Sequence, residues 1–549
     1  MSVSLEWLKQ NAEINTTSPH SSPSICCDGT YIYAVYTTSG ALTGKTNSGN
    51  TDIIVVKLDL NGNLIWASQD GDFNTSGHDM FPSICCDSSG VFIASMYVQI
   101  NTFPTPNVEE IRVHKFDKSN GSVIWFSNSS SFNSSGTKSY PKICSDNNSR
   151  IFVTYKTSGA LSGSTRTGTP NDVVVFSLDK DSGNLNWAQQ SSSFNTTGNN
   201  DSPFICCDGT YVYVAYSTTG TISGGTYSGS GDIIVFCMTL TGTFQWAKQD
   251  TSFNSSSIDI ATSISGNTTE GGFYMVYQTM GTISGGTLTG SSDIVVYKGG
   301  TDGSKTWAKQ ESSFNISGSN DTAIVSSDSS GVYVIYRNSD ASMPPNSKCV
   351  AFKLSTSGST SWMTYDSSFT TQKISTPQIV VADNNNVVGI YTSTEAMSGY
   401  TAISFSDVII FNLREGGAGS SNSCFSYETL QKIIDRIEGK KNILVFGGKR
   451  GNKKMFRCDI KDFGKCEFTH DHLFVYNNEI TTFENLIHNC SDITNIEEVP
   501  VQEIDMMYNI IGNVTQLDID NIFKLNDNVR IIGGRVKNED KIEYVKSIL

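Results

Sequence analysis

A thiol, a hydroxyl and an imidazole near the C-terminal end have the types and spacing for covalent chemistry. Cys424 directly follows the run EGGAGSSNS, Glu415 to Ser423, and 45 residues later Thr469 and His472 stand in the block FTHDHLFVYNNEITTFENL. Such a set suits nucleophilic attack by a thiolate with a nearby proton donor. Two other readings use the same residues. One is an accessory domain with a buried cysteine and surface histidines. The other is a zinc site drawn from Cys424, Cys458, Cys466, Cys490, His470, His472 and His488, which lacks any Cys-x-x-Cys pair. Earlier in the chain stand three adjacent pairs, Cys26-Cys27, Cys85-Cys86 and Cys206-Cys207. They could be a redox centre or a cofactor cradle. The corresponding places elsewhere hold Cys144-Ser145, Ser326-Ser327 and Val381-Ala382. Small size is kept and the thiol is not, which points to packing of reduced, buried cysteines.

A repeat positions these residues. All seven tryptophans fall on it: Trp7, Trp66, Trp125, Trp187, Trp246, Trp307 and Trp362, at steps of 59, 59, 62, 59, 61 and 55. Each period carries four strand signals. In the second these are LIWASQ around the tryptophan, PSICCD after the polar loop DFNTSG, VFIASMY after a tight turn, and a strand that in most periods opens with Asp, as in DIIVVKLD from Asp52. That last strand turns through Asn-Gly, a hairpin signal, into the next tryptophan strand. Four antiparallel strands repeated seven times predict an all-β, seven-bladed β-propeller over residues 1–413. Its strands should run outward from the axis as PSICCD, YIYAVY, DIIVVKL and the Trp strand. The repeat begins on a lone Trp strand, SLEWLKQ, and ends on DVIIFNL, so the first strand should complete the last blade and close the ring. The tryptophans should wedge between blades as structural residues. Asp28, Asp87, Asp146, Asp208, Asp328 and Asp383 end the first strand of their units and precede Gly, Ser or Asn, which predicts Asx turns rather than a calcium ring. The Asp that opens the third strand should cap a loop. The three histidines of this region, His20, His78 and His114, occupy unrelated places in the repeat.

The totals narrow the function. Net charge is −15, which disfavours nucleic-acid phosphates and anionic membranes as partners. No apolar run approaches a membrane span, and MSVSLEWLKQ has neither the basic nor the apolar region of a secretory signal. The expected location is therefore the cytoplasm or, for a viral protein, the particle. Without a secretory route, the sequons at Asn15, Asn74 and Asn195 read as by-products of an Asn/Ser-rich composition.

The segment DIIVVKLDLNGNLIWASQ, followed by ICCDGTYIYAVYTTSG, resembles the SBBP family of β-propeller repeats. Asp52, Lys57, Leu58, Asp59, Gly62, Asn63, Leu64 and Trp66 match its pattern, and Asp172, Asp232, Asp293 and Asp407 match its first position. Unit three departs from it with PTPNVEEIRVHKFD. The resemblance implies the fold and no particular reaction. LDKDSGNLNW, Leu178 to Trp187, also resembles the repeats of quinoprotein propellers, which use an adjacent-Cys disulfide. The composition resembles that of proteins of large amoeba-infecting DNA viruses, which implies a virion component.

Beyond the linker 414–423, residues 424–549 read as a small, mostly-β (α+β) domain, with helical spacing in SYETLQKIIDRIEG from Ser426. Its Cys424 and Thr469-x-x-His472 resemble the Hint module of inteins and hedgehog-type autoprocessing proteins. That resemblance implies Cys424 attack on the Ser423 carbonyl, with Thr469 and His472 activating the amide. The family's penultimate His is missing and Gly533-Gly534 stands where it closes on His-Asn, so splicing is not expected. The whole reads as a non-enzymatic structural or interaction protein with an unidentified protein or glycan partner on a propeller face and no cofactor or metal. The alternatives are a Hint-type self-cleaving protein and, more distantly, a quinoprotein-like oxidoreductase.

Overall fold

The computed structural model describes residues 3–101, 107–339, 347–371, 373–383 and 386–415, and eight strands between 443 and 531. The chain divides into two compact units, Val3–Glu415 and a second that contains Gly416–Leu549.

The first unit is the expected propeller. Its seven sheets each have four antiparallel strands in the order read from the repeat. Blade 1 comprises His20–Cys27, Tyr31–Thr38, Asp52–Asp59 and Leu64–Ser68, and blades 2 to 6 follow the same plan. The first strands of successive blades pack against one another around a closed ring, and blade 7 meets blade 1. Blade 7 takes three strands from Ile374–Asp383, Asn386–Ser393 and Asp407–Glu415, and its outer strand is Val3–Lys9 from the other end of the chain. The ladder there runs from Val3 opposite Glu415 to Lys9 opposite Ile410. Among the described residues no helix is long and apolar enough to cross a membrane.

Second and third strands are apolar on both faces and almost wholly buried, because each sheet is covered by a neighbour on either side. Two repeated devices hold the blades together, one on each face of the ring. On one face the outer-strand tryptophan reaches the next blade. The indole N–H groups of Trp7, Trp66, Trp125, Trp187, Trp246 and Trp307 donate to the carbonyls of Leu60, Lys118, Lys180, Leu240, Thr301 and Thr356. The glycine of the same hairpin lies flat against the ring. At Gly242, φ is +85° and an added Cβ would stand 2.6 Å from Trp187. Gly242→Ala is therefore expected to cost about 2 kcal/mol or more, from left-handed strain plus the displaced indole. Chemical denaturation would measure it; an unchanged midpoint would show that the wedge carries no load. Trp362 has no acceptor among the described residues.

On the opposite face the loop between blades acts as a bolt. Phe73, Phe132, Phe194, Phe253, Phe314 and Phe369 of the DFNTSG-type loops are buried. The asparagine after the phenylalanine makes a two-bond bridge to the third strand of the blade it leaves. Asn74 Oδ1 accepts from Ile53 N at 2.7 Å while its Nδ2 donates to Ile53 O at 2.9 Å. Asn195, Asn254, Asn315 and, after Ile14 in place of the phenylalanine, Asn15 do the same to Val173, Ile233, Ile294 and Val408. A tyrosine of the next blade donates to the carbonyl just before that asparagine, as Tyr216 does to Phe194. The sequon asparagines are thus buried structural parts rather than compositional by-products.

In the second unit, backbone pairing joins Ile443–Lys449 to Met506–Gly512. Met455–Ile460 lies between Gly464–Thr469 and Ile493–Glu498, and Leu473–Tyr476 between Glu479–Thr482 and Val529–Ile531. The helical spacing from Ser426 lies outside the described residues.

Candidate functional site

The residues singled out for covalent chemistry fall mostly beyond description. Cys424 and His472 lie outside the described residues, and Thr469 ends the strand Gly464–Thr469. Of the seven tryptophans, Trp7, Trp66, Trp125, Trp187, Trp246 and Trp307 donate to the neighbouring blade.

The adjacent cysteines do not act as adjacent pairs. All six carry thiols, as does Cys144. Neighbours along a strand point to opposite sides, so Cys26 faces the seam between blades 1 and 2, while Cys27 faces the seam between blades 7 and 1. The adjacent-Cys disulfide of the quinoprotein resemblance is not formed. Burial is also less uniform than expected. Cys26 and Cys206 are buried, whereas Cys27, Cys85, Cys86 and Cys207 are half-buried at the rim of the ring.

The aspartates behave as the turn chemistry predicts. Asp28 Oδ1 accepts from the amides of Thr30 and Tyr31, and Asp208 Oδ1 from Thr210 and Tyr211. The Asp opening the third strand caps its loop. Asp52 accepts from Ser48 N and Gly49 N and from Gln69 Nε2, and Asp232 repeats the pattern with Ser228, Gly229 and Gln249.

Once these uses are assigned, two places on the axis depart from sevenfold repetition. The first is an open depression of about 530 Å³ at the first-to-second-strand turns of blades 1 to 3, lined by Cys27, Asp28, Cys86, Asp87, Lys118 and Asn147. Lys118 pairs with Asp28, and Lys180 with Asp87 at 3.4 Å. Burial pushes the Asp28 carboxyl up, but Lys118 and the turn amides outweigh it and hold it below the usual carboxylate range. Leu240 stands where the next lysine would be, and Asp146 Oδ2 is buried there without a hydrogen bond among the described residues.

The second is where the innermost strands begin. Ser22, Phe81, Tyr140, Ser202, Thr322 and Thr376 occupy one equivalent position in six blades, and all are left-handed at φ between 43° and 54°. Each lies in a bulge, as between Ser139 and Lys142, and most precede a proline. Six strained non-glycine residues in a ring are costly, and strain of this kind collects at binding sites. In blades 2 to 4 aromatic and cationic side chains stand among and beside them. The rings of Phe81 and Tyr140 meet at 4.8 Å, and Tyr140 is 42% exposed. Lys156 Nζ lies 4.9 Å from the Tyr140 ring and pairs with Asp201 at 2.7 Å. Lys142 Nζ lies 4.8 Å from the Phe204 ring and, among the described residues, has no acidic partner. Burial lowers its ammonium to about 8. No composition signal marked this cluster. The proline inside a strand pattern could have marked the bulges.

Among the described residues no three His, Cys, Asp or Glu side chains are placed to hold a metal ion. No protein-family model matches the chain, and no curated protein matches it. Three solved structures with a similar course are distant in sequence. A Dyadobacter fermentans protein of unknown function is 10% identical, with TM-score 0.39, over 75% of this chain and 99% of that one. The β-propeller domain of the Trilobed protease from Pyrococcus furiosus is 10% identical, with TM-score 0.40, over 72% and 96%. The Hadza microbial sialidase Hz136 is 10% identical, with TM-score 0.35, over 66% and 72%.

Proposed function

We propose that this chain is a non-enzymatic recognition protein whose propeller presents the aromatic and lysine cluster of blades 2 to 4 to a carboxylate-bearing partner. The supporting observation is Lys142. It is a half-buried ammonium with an aromatic neighbour and, among the described residues, no carboxylate partner, set beside a ring of strained backbone. A partner's carboxylate would complete its charge, and Phe204, Tyr140 and Phe81 would cover the apolar part of the ligand. Calorimetric titration of the full chain with a glutamate-rich peptide and with a uronate oligosaccharide would separate a protein partner from a glycan one. Binding by one probe, weakened at least tenfold in Lys142→Ala with an unchanged melting temperature, is the expected result. Binding of neither probe, or binding indifferent to Lys142, would overturn the reading. A place in a virus particle is compatible with it, and mass spectrometry of purified particles would test that.

A second reading concerns the C-terminal unit. Self-cleavage at Ser423–Cys424 is supported by the linker, Cys424 and Thr469-x-x-His472, together with the paired strands Leu473–Tyr476 and Glu479–Thr482 that follow His472. Cys424 would attack the Ser423 carbonyl to give a thioester. His472 would protonate the leaving nitrogen, and Thr469 would orient it. Hydroxylamine should then release a fragment ending at Ser423, Cys424→Ala should abolish release, and His472→Ala should slow it strongly. No spliced product should form. A wild-type chain whose mass is unchanged after prolonged hydroxylamine would remove this activity.

A further inference from the structure

The alternation of adjacent cysteines puts thiols face to face across the seams of the ring. The first cysteine of a pair points toward the next blade, and the second toward the previous one. Cys26 of blade 1 and Cys86 of blade 2 therefore meet in one core cluster. Cys144 of blade 3 and Cys207 of blade 4 meet in another. The equivalent positions of blades 5 and 6 carry Ser265 and Ser327, whose hydroxyl oxygens are 2.8 Å apart. Side chains of this length thus touch across the seam by the geometry of the repeat itself.

The two members of the first pair differ in access. Cys86 is half-buried and lines the open depression, whereas Cys26 is 8% exposed behind it. An oxidant entering the depression reaches Cys86 and finds a second thiol already in contact with it.

We propose that Cys86 and Cys26 form a disulfide across the seam of blades 1 and 2 when the protein meets a peroxide, with Cys144 and Cys207 as a second, slower pair. Cys86 as thiolate attacks one peroxide oxygen, the O–O bond breaks, and hydroxide leaves with the electron pair, giving a sulfenic acid. The Cys26 sulfur then displaces the sulfenic oxygen, which leaves as water with the Cys26 proton. Two thiols lose two electrons and two protons, and one peroxide becomes two waters. Burial pushes the Cys26 thiol up, so it stays protonated while the more accessible Cys86 meets the peroxide. It pushes Cys207 up to about 12, which slows the second pair. The disulfide would staple neighbouring blades at the axis, independently of any ligand at the opposite face.

The test is peptide mapping of the native full chain after hydrogen peroxide and alkylation in denaturant. The expected product is a cross-link between the peptides holding Cys26 and Cys86, 2 Da lighter than their sum. It should survive Cys27→Ser combined with Cys85→Ser, and disappear in Cys86→Ser or Cys26→Ser. The melting temperature of the oxidised protein should rise by several degrees and fall back with dithiothreitol. The Ser265–Ser327 contact indicates that the serine variants will fold, and their melting curves would verify it. A Cys26-Cys27 or Cys85-Cys86 linkage, a cross-link retained in Cys86→Ser, or a native protein that keeps all its thiols or stops at a sulfinic acid would overturn the proposal.

Discussion

A chain lacking Val3–Gln10 is expected to lose the cooperative melting of the whole propeller. The deletion removes the outer strand of blade 7 and leaves Asp407–Glu415 as a bare edge. It also removes Trp7 from the Leu60 carbonyl and Gln10 from the Asp407 carboxylate and the Met397 amide. At about 1 kcal/mol net per hydrogen bond, the ladder and these side-chain bonds represent about 5 kcal/mol or more. That is a large share of the roughly 5–15 kcal/mol that holds a typical protein folded. The exposed strand invites pairing between molecules, so light scattering should rise along with the loss of the circular-dichroism transition. A truncated chain that melts at the wild-type temperature would show that closure by this strand is dispensable.

Asn195→Asp changes one atom and is expected to cost about 3 kcal/mol or more at neutral pH. Asn195 is 2% exposed, accepts from Val173 N at 2.7 Å and donates to Val173 O at 2.9 Å. The aspartate keeps the acceptor but sets a buried charged oxygen against the Val173 carbonyl. A protonated carboxyl could still donate there, and burial raises the carboxyl's pKa in the folded state above its unfolded value. The penalty should therefore be smallest near pH 4 and should grow as pH rises toward neutrality. Urea denaturation of wild type and variant at both pH values would measure this. An equal penalty at both would mean that charge burial is not the cause. For the same reason, glycans should be absent from Asn15, Asn74 and Asn195 of folded chain secreted from a heterologous host.

Blade number, strand order and closure were legible because tryptophan spacing and turn residues report local backbone geometry. The Asx turns and Asp caps were legible for the same reason, since each satisfies amides within five residues of itself. What escaped notice acts between elements. Asn74 reaches Ile53 across 21 residues, and nothing in a Phe-Asn dipeptide distinguishes a buried bridge from a loop asparagine except its recurrence in five of the seven loops. The cysteine pairs were read as packing residues, but the partner each one meets was not legible, because the twofold period of a strand sends Cys26 and Cys27 to different seams. The cluster around Lys142 depends on bulges that only pairing register reveals.

The register that closes the ring also sets how it yields to force. Val3 lies opposite Glu415, so both ends of the propeller leave from the same end of one antiparallel ladder. Tension between them does not shear the strands along their length. It opens the ladder like a zipper, loading one residue pair at a time from Val3 toward Lys9, so the force needed is that of a single rung. The seam that resists heat as a cooperative whole is therefore mechanically soft. A steady pull at the two ends would open blade 7 before disturbing any of the other six, whose four strands are consecutive in the chain.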